Sequence, residues 1–157
     1  MNVEKIKLDK IIFECHKHQD RMNTAHQTLM PFFPLTRIAY ETFDDDHVSY
    51  LDQFLYRFSK LQDSIGQKLF KAVLSYKKEE VLNKSFIDII NRLEQLEYLE
   101  DVDAWFILRD IRNQLAHDYE DDVDELVEII NIIFSKKELL EKYFVTIVSK
   151  LASSSLG

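Results

Sequence analysis

The sequence predicts an all-α protein, an up-and-down bundle of about five helices. Three observations carry that reading. Only two glycines and two prolines occur in 157 residues, too few turn formers for the many tight reversals of an all-β fold. Apolar residues recur every three or four positions over long stretches, the spacing of one buried helix face. Short polar residues that suit helix N-termini precede several of those stretches. Hydrophobic residues make up 46% and charged residues 31%, the balance of a globular chain with a core rather than of a disordered one.

The first periodic run spans residues 3 to 29, with Ile6, Ile11, Ile12 and Cys15 on one side. Pro31 and Pro34 end it, because proline lacks the N–H and clashes with the preceding turn. A short element is expected at 35–43. The acids Asp44, Asp45 and Asp46 then suit a cap and the positive end of a helix dipole. A long helix follows at 48–76, where Leu51, Phe54, Phe58, Leu61, Ile65, Leu69 and Val73 form an amphipathic stripe. Gly66 interrupts it, and the missing side chain suggests a close helix crossing. Ser85 is placed to cap a helix over 86–98, and Asp101 one that carries Trp105, Leu108, Ile111 and Leu115 inward. Beyond Glu120-Asp121-Asp122, one last helix is expected to about Leu151. The expected organisation is a single domain over residues 1–151 with a frayed tail at 152–157.

Cys15 is the sole cysteine, so neither an internal disulfide nor a cysteine-based zinc site is expected. A reducing cytoplasm is the natural setting. The start at Met1 to Lys5 lacks the apolar core of a signal peptide, and no apolar run reaches membrane-spanning length. His16, His18, His26 and His47 are scattered; His16 and His18 point to different helix faces, so no metal is expected there. There is no glycine-rich phosphate loop and no nucleophile elbow, and no cofactor is expected.

Net charge is -8, but it is unevenly spread. Residues 50–78 hold six bases (Arg57, Lys60, Lys68, Lys71, Lys77 and Lys78) against two acids, whereas residues 79–128 hold sixteen acids against four bases. The basic segment can steer a polyanion and the acidic one can face a basic partner.

The stretch with most chemistry runs from Arg109 to Tyr119 and contains Arg112-Asn113, His117 and Tyr119. Histidine exchanges protons near neutral pH, and a guanidinium grips phosphate through two parallel hydrogen bonds. On an ideal helix Arg112 and Tyr119 lie ~20° apart, whereas Arg112 and His117 lie ~140° apart. Either the helix kinks or ends near the motif, or a twofold dimer brings the arginine of one copy to the histidine of the other. Asn113 and His117, four apart, would share a face, letting the amide orient the ring. Tyr119 can bond phosphate, stack on a base or carry a modification.

In these residues the chain resembles the HEPN domains, and among them the HepT-type toxins of toxin–antitoxin pairs whose antitoxin is a minimal nucleotidyltransferase. The R-x4-H-x-Y pattern is carried by Arg112, His117 and Tyr119. Trp105-Phe106-Ile107-Leu108-Arg109-Asp110 and the run from Tyr56 to Gly66 extend it, so that it covers roughly residues 31–147. The resemblance implies a helical homodimer with its motifs in a composite cleft. It implies a metal-independent endoribonuclease with Arg112 and His117 catalytic and Asn113 supporting, silenced when a nucleotidyltransferase antitoxin transfers AMP to Tyr119. The expected reaction is attack of a ribose 2′-hydroxyl on its own phosphate in an RNA substrate. Arg57, Lys60 and Arg109 are the expected substrate-binding cations, and the basic helix has to line the cleft to offset Asp118, Glu120, Asp121 and Asp122. The alternative expectation is a non-catalytic substrate-binding or partner module of a nucleotidyltransferase.

Overall fold

The computed structural model describes residues 1–117, 119 and 121–155. These are all-helical, with no strand among them. The helices are α1 (Val3–Leu29), a 3-10 turn at Met30–Phe32, α2 (Arg37–Glu41), α3 (Asp45–Ser64), a π-helical segment at Ile65–Leu69, α4 (Phe70–Tyr76), α5 (Phe86–Gln95), α6 (Val102–Gln114), α7 (Val123–Ser135) and α8 (Lys137–Ser155). None of them is long and apolar enough to cross a membrane.

Most starts follow the expected capping chemistry. The carboxylates of Asp44 and Asp101 accept the backbone N–H groups of His47 and Ala104. Ser85 and Asp88 form a reciprocal capping box, each accepting an N–H that the first turn leaves orphaned. α1 ends two residues before Pro31, and the Phe33–Pro34 peptide bond is cis. With so few glycines, two helix ends place other residues in the left-handed region: Lys78 after α4 (φ 63°) and Glu97 after α5 (φ 66°). In each case two N–H groups turn back onto the last carbonyls, Glu79 to Leu74 and Lys78 to Ser75, then Tyr98 to Leu93 and Glu97 to Glu94, a Schellman arrangement.

Several boundaries differ from expectation, among them the helix expected from 48, which starts at Asp45. The single helix expected after the acidic link is two, α7 and α8, broken at Lys136. The Ser135 hydroxyl donates to the Ile132 carbonyl at 2.6 Å, a local bond that competes with helix continuation. The helix expected to 98 ends at Gln95. α8 runs on through Ser155, so four of the residues expected to fray are helical; Leu156 and Gly157 lie outside the described residues.

The core is a continuous apolar cluster fed by α1, α3, α4, α5, α6, α7 and α8. α1 lies along α3, and α6 contacts α3, α5 and α7. Trp105 of α6 is the hub. Its ring meets Phe70 edge-on at 4.9 Å and Tyr143 at 5.2 Å, joining α6 to α4 and α8. A Cβ on Gly66 would stand 2.8 Å from Trp105 Cζ2. The close crossing expected at that glycine is therefore present, and it coincides with the π segment, in which the Phe70 N–H reaches back five residues to Ile65. The extra residue in the turn moves the chain around the indole without leaving the helix.

Candidate functional site at the end of α6

The helix carrying the motif ends inside it. α6 stops at Gln114, and the N–H groups of Leu115, Ala116 and His117 bond three residues back, to Arg112, Asn113 and Gln114. This tight last turn carries His117 off the helix. The helix thus ends inside the motif, as one of the two possibilities left open by the spacing has it, but Arg112 lines the groove described next and His117 does not.

Arg109, Arg112 and Asn113 occupy positions i, i+3 and i+4 of α6 and so share a face. That face looks across a groove of about 340 Å³ to Gln62 and Asp63 of α3, Gly66 and Gln67 of the π segment, and Lys71 of α4, with Phe86 and Trp105 also in its wall. Arg112 is fixed there by a two-point ion pair: Nε donates to Asp63 Oδ1 at 3.4 Å and Nη2 to Asp63 Oδ2 at 3.2 Å. Both side chains are 30% exposed. The Arg109 guanidinium sits over the Phe86 ring, 5.0 Å from its centroid. Gln62 is almost fully buried, and its Oε1 has no hydrogen-bond partner.

His117 and Tyr119 lie past the helix end and outside the groove lining. His117 is exposed, with its ring 6.3 Å from that of Tyr119. The Tyr119 hydroxyl donates to the Gln114 carbonyl at 2.8 Å, satisfying an acceptor that the end of α6 leaves open. Partial burial, with Glu125 nearby, raises the pKa of this phenol. The hydrogen bond expected between Asn113 and His117 is not formed, because four-residue spacing aligns two side chains only where the helix continues between them. Asn113 instead faces the groove.

Two of the expected substrate-binding cations are elsewhere. Arg57 donates to His18 Nδ1 at 2.9 Å and Lys60 lies over the Tyr56 ring. Together with Lys68, which is paired to Glu14, they sit toward α1, near enough to His18 to depress its pKa behind the larger effect of burial. The basic helix therefore presents most of its charge away from the groove, and only Lys71 of that set lines it. Arg109 does line it, as expected. Of the acids expected to crowd the motif, Asp118 and Glu120 lie outside the described residues, and Asp122 is turned to cap α7. Asp63, Gln62 and Lys71 were not singled out as site residues. The available signal for Asp63 is an acid three residues after Lys60 and six after Arg57, in a segment where bases outnumber acids six to two.

Among the described residues no three His, Cys, Asp or Glu side chains are grouped to hold a metal ion. Comparison with protein-family models, with curated proteins and with solved structures returns no match.

Proposed function

We propose that the chain is a metal-independent endoribonuclease that acts as a homodimer with a composite cleft. The observation that carries this reading is the end of α6 at Gln114. It leaves a guanidinium held by Asp63 on the helix and an exposed imidazole just beyond, on the tight turn that follows.

In the proposed reaction, His117 takes the proton of a ribose 2′-hydroxyl as its oxygen attacks the adjacent phosphorus. The bond from phosphorus to the 5′-oxygen breaks, and the partner subunit's His117 protonates that oxygen. The products are a 2′,3′-cyclic phosphate and a 5′-hydroxyl. Asp63 occupies one edge of the Arg112 fork, and the remaining N–H groups face the phosphate as negative charge builds on it. Asn113 supports from the same face. A nucleotidyltransferase antitoxin that carries ATP would let the Tyr119 oxygen attack the α-phosphorus with loss of pyrophosphate; the AMP so attached removes the hydroxyl's hydrogen bond to Gln114 and adds negative charge beside the cleft.

The test is incubation of the purified chain with total cellular RNA in EDTA, beside His117→Ala, with analysis of fragment ends. Cleavage to cyclic phosphates by the wild type, reduced at least ~100-fold in the variant, is the expected result. Equal cleavage by His117→Ala refutes the assignment.

One observation favours the second reading, a non-catalytic partner module of a nucleotidyltransferase: the Arg112 fork already has a carboxylate partner and needs no substrate to satisfy it. Under that reading the chain cuts nothing in EDTA yet still binds the transferase.

A further inference from the structure

The bases concentrated at residues 50–78 are mostly unused by the groove, which takes up only Lys71 of them. The others meet α1. Three sets of contacts tie α1 alongside α3 and the π segment. The Gln53 amide donates to the Arg21 carbonyl at 3.4 Å, and the Arg57 guanidinium to His18 Nδ1 at 2.9 Å. Ser64 and Lys68 donate to the Glu14 carboxylate at 3.1 and 3.0 Å. Glu14, His18 and Arg21 are four and three residues apart and so share the face of α1 turned to this seam.

The seam carries Arg21, Arg57, Lys60 and Lys68 against Glu14, which Lys68 already neutralises. Arg21, Arg57 and Lys60 have no ion pair among the described residues, and Arg21 and Lys60 are exposed. Tyr56 is 54% exposed, with Arg57 Cζ 5.5 Å and Lys60 Nζ 5.6 Å from its ring centroid. The ring thereby holds two cationic heads at the surface. His18 reports the local sign. Burial first, and then the charges of Arg57, Lys60 and Lys68, hold its pKa down, with Glu14 opposing. From Gln53 to Lys68 this positive strip runs ~20 Å along the helix, in a protein of net charge -8.

Cations set out in a line complement anions set out in a line. The phosphates of a nucleic acid strand are such a row, and their neutralisation releases counterions whatever the sequence. A protein partner is anchored instead by an apolar centre with charges at its rim. We infer that the α1–α3 seam is a second binding surface, separate from the groove, that takes the phosphodiester backbone of a nucleic acid through Arg21, Arg57 and Lys60 without reading its bases. The assignment goes beyond the ribonuclease reading and does not need it. DNA has the same backbone phosphates and lacks the 2′-hydroxyl that the proposed cleavage requires.

The experiment therefore uses DNA. Two labelled strands of equal length and unrelated sequence are titrated with the protein in a salt series, read by fluorescence anisotropy. The wild type is expected to bind both alike at low salt and to lose affinity steeply as salt rises. Arg21→Gln with Lys60→Gln removes two exposed cations that pair with no acid, so Tm should stay that of the wild type. This double variant is expected to weaken binding of both strands about tenfold and to lower the salt slope by about one per cation removed. Lys84→Gln with Lys142→Gln takes the same charge from other parts of the surface and is expected to leave binding within about twofold of the wild type. The inference is overturned if the wild type binds no DNA at low salt, if it prefers one sequence about tenfold, or if the two double variants behave alike. It is also overturned if polyglutamate displaces the strand as well as unlabelled DNA does, which would make the seam a surface for acidic protein. Cleavage of RNA in EDTA is scored separately. Cutting without DNA binding overturns the seam and leaves the ribonuclease standing, whereas seam-dependent DNA binding by a chain that cuts nothing supports the seam and removes the ribonuclease.

Discussion

Asp63 holds the guanidinium at the centre of the site, and replacing it with asparagine separates positioning from charge. Asparagine keeps the size and one acceptor oxygen while removing the anion. The contacts are two parallel N–H···O bonds of 3.2 and 3.4 Å, at the long end of the hydrogen-bond range, between side chains each 30% exposed. That exposure places the coupling nearer to a surface pair than to a buried one, about 1 kcal/mol. A double-mutant cycle with Asp63→Asn, Arg112→Gln and the pair, read by urea unfolding, is expected to return about that coupling. Asp63→Asn alone should lower Tm by about 2–4 °C. Because one oxygen still faces Arg112, RNA cleavage should fall by about one order of magnitude, whereas Arg112→Gln should lose two or more, as when a donor to a developing oxyanion is removed. A coupling within ~0.3 kcal/mol of zero, inside the scatter of independent sites, would refute the ion pair. Faster cleavage by Asp63→Asn would refute the positioning role, since it would mean that Asp63 competes with phosphate for Arg112.

Gly66→Ala sets the Cβ against Trp105 Cζ2, and the indole cannot yield because Phe70 and Tyr143 hold it. Overpacking of ~1–3 kcal/mol exceeds the ~1 kcal/mol that alanine recovers in a helix, so Tm should fall in thermal melts, and an unchanged or higher Tm refutes the close crossing. His18 is held below its ordinary pKa, by burial first and the Arg57 guanidinium second. Its neutral ring accepts from Arg57, so its contribution to stability is present above the unfolded-state value near 6.5 and is lost as pH falls through the lower folded-state value. Denaturant midpoints should drop on moving from pH 7 toward pH 5, and His18→Gln should flatten that drop; an equally steep drop in the variant refutes it.

What was legible in the sequence is what local chemistry decides. Ser85 and Asp101 announce helix starts because an N-cap needs only its own side chain and the next three N–H groups. The stripe from Leu51 to Val73 announces a helix because burial of one face imposes the period. The break at Lys136 was hidden, since neither glycine nor proline marks it and apolar residues run on at both sides. The π segment was hidden for a different reason. It is the backbone's answer to Trp105, forty residues away, and nothing within Ile65–Leu69 but the glycine points to it. At the site, Arg109 and Arg112 were legible as one face of α6. Arg57 and Lys60 fall on the side of α3 that meets α1, where Arg57 finds the His18 ring, and that packing partner is not readable from their own stretch of sequence. Asp63 is not legible as a site residue in sequence, because an acid among bases has the ordinary look of a solvated helix face until its partner, forty-nine residues on, is known.

A chain of net charge -8 looks ill-suited to RNA, yet the total says little about the field in a groove. At physiological salt a charge acts over about 8 Å, so the groove feels mainly its own lining. There Asp63 is neutralised by Arg112, which leaves Arg109 and Lys71 as the excess. Several of the acids that depress the total are occupied in the fold. Asp122 accepts from the N–H of Glu125 at the start of α7, where the helix dipole favours an anion, and Asp124 pairs with Arg37 of α2 at 3.3 Å. Glu14 is tied to Lys68 and Ser64, and Glu141 to Lys137, Gln19 and Asn23. Segregation of this kind keeps a small positive groove in an acidic surface. Under the proposed function, the phosphate would meet that local excess of Arg109 and Lys71 and not the total charge.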